Sequence, residues 1–208
     1  MELKEHILFV NSCFTTYLEE VNRENIISAI EKIQATQKGN FRSNAGGFQS
    51  FVLQHTEYDN ISTQHLFQDY ILPAAKAAGK SWGIPNEINA HGYWYNVNYK
   101  YNYNRSHMHP MSYISGVYYL KVPSGNAGNI IFNRTEQELD RMAFVTKDLA
   151  RDENGAGVVD NVRINTEHWF LPEEGLLILF PSHLSHYVEA NLTNDVDDRR
   201  ISLSFNFH

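Results

Sequence analysis

The stretch YWYNVNYKYNY, Tyr93 to Tyr103, alternates without a break: Tyr93, Tyr95, Val97, Tyr99, Tyr101 and Tyr103 fall on one side, and Trp94, Asn96, Asn98, Lys100 and Asn102 on the other. A period of two predicts an extended strand with an oily face and a polar face. Outward from it, short aromatic and β-branched runs bounded by Gly, Pro or Asn recur at Ser115–Val122, Asn129–Phe132, Gly175–Phe180, His186–Ala190 and Arg200–Phe207. Such runs are further strands. Upstream the period changes. Leu18, Val21, Ile26, Ile30 and Ile33 recur at helical spacing, which predicts one amphipathic helix from Leu18 to about Lys38, with Gly39 as its stop. A second helix is expected from Ser62, as N-cap, to about Gly79, kinked or restarted at Pro73.

Helices first and many short strands afterwards point to a mainly β fold with N-terminal helices. The expected architecture is a double-stranded β-helix (jelly roll, cupin-like) with the helices packed on one sheet. A chain of 208 residues supports one sizeable core, so one domain is expected over 1–208. Residues 1–82 would form a helical buttress with N-terminal strands and 90–208 the jelly-roll core. The polar segment 133–168, with its NGAGVV patch, reads as an insertion. With 42% hydrophobic and 20% charged residues, the chain has the composition of an ordinary globule. A formal charge of -7 argues against a nucleic-acid partner, because phosphate binders concentrate Lys and Arg. No stretch has membrane-spanning length, the N-terminus is a poor signal peptide, and Cys13 is the single cysteine. Together these predict a cytoplasmic protein with no membrane partner.

The string RSHMHP sets His107 and His109 two residues apart. In an extended segment, side chains at that spacing leave one face with Cα atoms roughly 6.5 Å apart, so both imidazoles can turn to one ion. Alone the pair is weak evidence, since ten histidines produce such spacing by chance. A second cluster, FPSHLSHYVEA, strengthens it: a strand ending at Phe180-Pro181 turns and resumes at His186, which could stand beside the first pair. Three neutral imidazoles suit iron, zinc or another borderline divalent ion. His183 reads as an exposed loop histidine.

In RRISLSFNFH, Arg200, Ser202, Ser204 and Asn206 alternate with Ile201, Leu203, Phe205 and Phe207. If the oily face meets the helices, the polar face points into the barrel, where an unpaired guanidinium is costly. A small dianion would supply the missing charge, held by Arg200 and the Ser202 hydroxyl. The competing reading pairs Arg200 with Asp195, Asp197 or Asp198 on an exposed hairpin. Arg199 is better suited to that surface role.

The strings HMHPMSYISGVYYL, GLLILFPSHLSHYVEAN and RRISLSFNF resemble the core of the 2-oxoglutarate and iron(II)-dependent oxygenase superfamily. In particular they are similar to small bacterial and viral oxygenases with HxHP, SGVYYL, FPSxLxH and RxSxSFN motifs. SNAGGFQS and WYNVN extend the resemblance back to about Ser43. It implies that His107 and His186 are the first and last metal ligands, that Arg200 with Ser202 anchors the tail carboxylate of 2-oxoglutarate, and that Tyr119 bonds the same carboxylate. The cofactors implied are Fe(II), 2-oxoglutarate as cosubstrate and O2. The activity implied is hydroxylation of a C–H bond, in a peptide side chain or a small molecule, coupled to decarboxylation to succinate. His109 stands where the superfamily carries a carboxylate; it either completes a three-histidine site or leaves that position to water. Asn96 is a further pocket candidate. Two rival readings are another three-histidine metalloenzyme, a zinc hydrolytic enzyme or a cupin dioxygenase, and a metal-free jelly-roll binding module. A homodimer is compatible with all of them.

Overall fold

The computed structural model describes residue 4 and residues 11–84, 88, 91–134 and 167–208. In chain order, β1 (Phe14–Tyr17) leads to α1 (Arg23–Thr36) and to the short strands β2 (Asn44–Ala45), β3 (Phe48–Gln49) and β4 (Leu53–Gln54). Then come α2 (Ile61–His65), a π-helical segment (Leu66–Ile71) and α3 (Leu72–Ser81). The remaining strands are β5 (His91–Asn98), β6 (Tyr103–His107), β7 (Ile114–Lys121), β8 (Ile130–Asn133), β9 (Glu167–Phe170), β10 (Leu176–Pro181), β11 (His186–Val188) and β12 (Arg200–Phe207). They form two antiparallel sheets. The larger runs β1-β10-β7-β12-β5-β3, with β4 also on β5, and the smaller runs β2-β6-β11-β8-β9.

β12 lies at the centre of the larger sheet, paired residue for residue with β5 from Arg200↔Asn98 to Phe207↔His91. Its alternation has the expected consequence. Ile201, Leu203, Phe205 and Phe207 join Tyr93, Tyr95 and Val97 in an outer core with Ile26 and Ile30 of α1, Phe67 and Ile71 of the π segment, and Ala75 of α3. Ile26 and Ile30 are fully buried, each removal from water stabilising by about 1.5–3 kcal/mol. The helices thus pack on one sheet, as the sequence pattern predicts. A second, inner core of Val117, Tyr119, Ile178 and Phe180 against Ile130 and Phe132 joins the two sheets face to face.

Several boundaries differ from expectation. The first helix begins at Arg23, because the Asn22 side chain accepts the Asn25 N–H at 3.2 Å and caps it. Leu18 is instead held just beyond β1, donating its N–H to Gly175 at 2.8 Å. The second helix is capped by Asn60, not Ser62: Asn60 Oδ1 accepts the Thr63 N–H at 2.8 Å. Pro73 does not break the helix. The preceding turn widens to π geometry, with Leu72 donating to Phe67 five residues back, which gives the proline ring room against the earlier carbonyls.

The Tyr93–Tyr103 alternation is also two strands rather than one. Asn102 Oδ1 accepts the Tyr99 N–H at 2.8 Å and Tyr101 adopts a left-handed φ of 70°, closing a turn between β5 and β6. Of the segment expected as an insertion, Asn133 ends β8 and Glu167 and His168 open β9. Residues 135–166 lie outside the described residues.

Candidate active site

His107 is the last residue of β6 and stands directly opposite His186, the first residue of β11. Further along the same pair, Val188 faces Asn104, so two steps on β11 match three on β6. The extra residue is a β-bulge at Arg105–Ser106 that turns both Asn104 and His107 inward, where strict alternation would send one of them out. His109 lies beyond the end of β6, its backbone N–H donated to Ser182 at 3.0 Å. The three rings converge: His107 and His186 centroids are 4.4 Å apart, and those of His109 and His186 are 5.2 Å apart and nearly parallel. One ring nitrogen from each lies within 4.8 Å of the other two.

The ring orientations follow from backbone acceptors. His107 Nδ1 is 2.7 Å from the Arg105 carbonyl and His186 Nδ1 is 2.9 Å from that of Leu184. A carbonyl only accepts, so each Nδ1 carries the proton and each Nε2 presents a lone pair. Burial drives the His186 pKa down to about 3, with His107 adding to the effect, and that of His109 down to about 4. Burial also lowers that of His107. All three are neutral at pH 7, the form that binds metal. His109 Nε2 and His186 Nε2 lie 3.4 Å apart. Two nitrogens each about 2.0–2.1 Å from one ion stand about 2.8–3.4 Å apart at angles from square to tetrahedral, so the pair fits a shared divalent cation near the tetrahedral end.

Below the histidines, one cavity is lined by Trp94, Asn96 and Asn98 of β5, Tyr119 of β7, Ile130, Val188, and Arg200, Ser202 and Ser204 of β12. Arg200 sits at its far end and is 2% exposed. Its Nη1 donates to the carbonyls of Ala127, Gly128 (2.9 Å) and Glu189 (3.4 Å). Its Nη2 is buried with no hydrogen-bond partner among the described residues. The Tyr119 hydroxyl, in the same cavity, likewise has none, and burial raises its pKa to about 12 against the lowering influence of Arg200. A buried cation with an orphaned N–H beside a buried phenol is expensive unless an anion completes it. The donor set fits the carboxylate of a small diacid.

The structure therefore brings His107, His109, His186, Arg200, Ser202, Tyr119 and Asn96 to one cavity. It does not pair Arg200 with Asp195, Asp197 or Asp198. Arg199 takes the surface role, ion-paired with Glu31 of α1. His183 is exposed. The Asn96 amide is engaged by protein, its Oδ1 accepting from Asn44 at 3.3 Å and its Nδ2 donating to Ser204 at 3.1 Å, so it braces the wall. Sequence reasoning missed Asn44, whose Oδ1 also accepts from Asn98 at 3.2 Å, together with Asn104 and Gly128. Gly128, at φ +80°, packs so tightly that a Cβ there would lie 2.4 Å from the Glu189 oxygen and 2.8 Å from Arg200 Nη1. Its turn signal is visible in SGNAG, but the approach to Arg200 is not.

The family described as "Putative 2OG-Fe(II) oxygenase" matches residues 92–206. No curated protein sequence matches the chain. Among solved structures, a Pseudomonas putida prolyl-4-hydroxylase superposes with a TM-score of 0.61 at 15% identity, over 95% of this chain and 92% of that one. The viral collagen prolyl hydroxylase from Paramecium Bursaria Chlorella virus-1, in its 2OG complex, gives 0.53 at 11% identity over 94% of each chain. HygX from Streptomyces hygroscopicus, with nickel and 2-oxoglutarate bound, gives 0.55 at 12% over 95% of this chain and 82% of that one. At these identities the likeness is one of fold, the double-stranded β-helix. The family match covers more than half of the sequence and takes in all three histidines, Tyr119 and Arg200, and the chain belongs to the 2OG-Fe(II) oxygenase family: a 2-oxoglutarate-dependent oxidoreductase using iron(II), 2-oxoglutarate and O2.

Proposed function

We propose that this oxygenase is a hydroxylase, that His107, His109 and His186 hold its iron(II), and that Arg200, Tyr119 and Ser202 hold the tail carboxylate of 2-oxoglutarate. The observation that carries the reading is the buried Arg200 Nη2 without a partner among the described residues, in the cavity that Tyr119 also lines and that the three histidine rings close. The balanced reaction is R–H + 2-oxoglutarate + O2 → R–OH + succinate + CO2. The metal, when bound, supplies the oxygen chemistry.

The chain's own residues bind, orient and exclude water. Arg200 offers Nη2 to a carboxylate while its Nη1 stays tied to three backbone carbonyls, so its charge cannot swing away. Tyr119 donates its hydroxyl proton to the same carboxylate. Asn44, Asn96 and Asn98 hold one wall of the cavity rigid through their amide ladder, and Val117, Ile130, Phe180 and Val188 keep the other wall dry. Replacing the usual carboxylate by His109 leaves the metal site one negative charge short, which strengthens its pull on a dianionic cosubstrate. The substrate is a C–H compound able to reach the histidines, either a small molecule or a peptide side chain, and the whole chain acts as one domain.

The test is release of succinate from 2-oxoglutarate with iron(II) and oxygen, without added substrate. Slow release that disappears in His107→Ala and in Arg200→Ala supports the proposal. Release unaffected by either substitution overturns it. A zinc hydrolytic site or a metal-free binding module would leave Arg200 without a task.

A further inference from the structure

The three candidate ligands are not held in the same way. His107 and His186 sit at strand ends, each with Nδ1–H donated to a backbone carbonyl two residues earlier. Outer contacts of that kind fix a ligand ring and its tautomer. His109 has no such acceptor among the described residues. It follows β6, in a loop that turns at Pro110 and Met111, and Met111 adopts a left-handed φ of 67° with its side chain 93% exposed. The hydrogen bond from the His109 N–H to Ser182 places its backbone but leaves both side-chain torsions free. Among the aromatic rings of the described residues, the His109 ring meets Trp94 and Phe180 besides the other two histidines. The Trp94 indole stacks on it at 5.6 Å between centroids and 28° between planes, whereas Phe180 is 6.4 Å away and tilted at 59°.

Trp94 is itself immobile at its base. It lies within β5, opposite Ser204 of β12 in the middle of the eight-residue pairing of these strands. The indole therefore projects from a fixed point on the larger sheet, and the loop histidine lies against its face.

We propose that Trp94 is a positioning residue for the metal centre: its indole face holds the His109 ring in the ligand orientation, replacing the hydrogen bond that orients the other two histidines. This rests on the reading of His109 as a ligand. The indole does not touch the ion; it limits the rotamers of His109, so that the third imidazole is in place before metal arrives. An apolar side chain of similar bulk without a flat face would fill the space and fail to align the ring.

The experiment loads the full-length protein with Cu(II) and counts coordinated imidazoles by pulsed electron paramagnetic resonance, with the Ni(II) dissociation constant measured in parallel. The wild type is expected to show three imidazoles and His107→Ala two. Trp94→Leu and Trp94→Ala are expected to show two and to bind Ni(II) roughly 10-fold to 100-fold more weakly, the usual effect of losing an outer contact to a ligand. Trp94→Phe, which keeps a flat face, is expected to retain three. Should Trp94→Ala not fold, the Leu and Phe pair decides the question. Three imidazoles in Trp94→Leu, with a Ni(II) constant within twofold of wild type, would overturn the inference and leave the ligand set standing. Two imidazoles in the wild type would instead remove His109 from the ligand set and this role of Trp94 with it.

Discussion

Replacing Arg200 by methionine separates the cosubstrate anchor from the fold. In the free protein, the substitution removes three donations from Nη1 and relieves a buried cation whose Nη2 has no partner. Those effects oppose one another, and apolar replacement of a buried charge is often close to neutral, so the ligand-free stability is expected to change by no more than about 2 kcal/mol. With 2-oxoglutarate the balance differs, because the carboxylate would be left buried without its cation. Truncating one partner of such a pair costs about 3–5 kcal/mol, a loss of roughly 150-fold to 5,000-fold in affinity. At a concentration 100 times the wild-type dissociation constant, 2-oxoglutarate stabilises the native state by about 2.7 kcal/mol. For a chain of this size that is a rise of roughly 5–11 °C in unfolding midpoint. A 150-fold weaker complex keeps only about 0.3 kcal/mol, a shift near 1 °C or less. The assay is thermal unfolding with Ni(II), which is redox-inert here, with and without 2-oxoglutarate. If Arg200→Met keeps more than half of the wild-type ligand shift, the cosubstrate carboxylate does not sit on Arg200 and the reasoning fails.

Other consequences are as direct. Tyr119→Phe removes one hydrogen bond to a charged group, about 1.5–3 kcal/mol or roughly 10-fold to 150-fold in 2-oxoglutarate affinity, yet leaves ligand-free stability nearly unchanged because the hydroxyl has no hydrogen-bond partner among the described residues; calorimetric titration of the wild type and the variant checks this. His186→Ala should weaken Ni(II) binding by more than 10-fold, while His183→Ala, exposed in the preceding turn, should not alter it, and equilibrium dialysis separates the two. Gly128→Ala puts a Cβ 2.4 Å from the Glu189 oxygen at a φ of +80°. The strain and overpacking should lower unfolding free energy by roughly 2–4 kcal/mol in a denaturant titration, and a value within 1 kcal/mol of wild type would show that the loop around Arg200 is looser than described.

Much of the fold was legible because side-chain alternation is set by covalent geometry. In RISLSFNF, Arg200, Ser202 and Ser204 had to share a face wherever the strand went, and the oily residues between them had to meet something else oily. Strand ends were less legible. The Tyr/Asn alternation ran on past Asn98 through a turn closed by the Asn102 side chain, and helix starts were missed where Asn22 and Asn60 were not recognised as caps. The inward turn of Asn104 could not be read at all, because it depends on a bulge that exists only in the pairing of β6 with β11.

By itself, then, the sequence determined the local parity of each strand, the position of the helices ahead of the β core, and the residue types available for a metal and an anion. Only the tertiary structure decided that His107 and His186, 79 residues apart, face each other, that His109 joins them from a loop against Trp94, and that Arg200 points inward with a nitrogen to spare. The physical reason is one of range. Parity is fixed by bonds between neighbours, whereas convergence is fixed by hydrogen-bonded register and packing between distant segments, and no single strand encodes its partner's register.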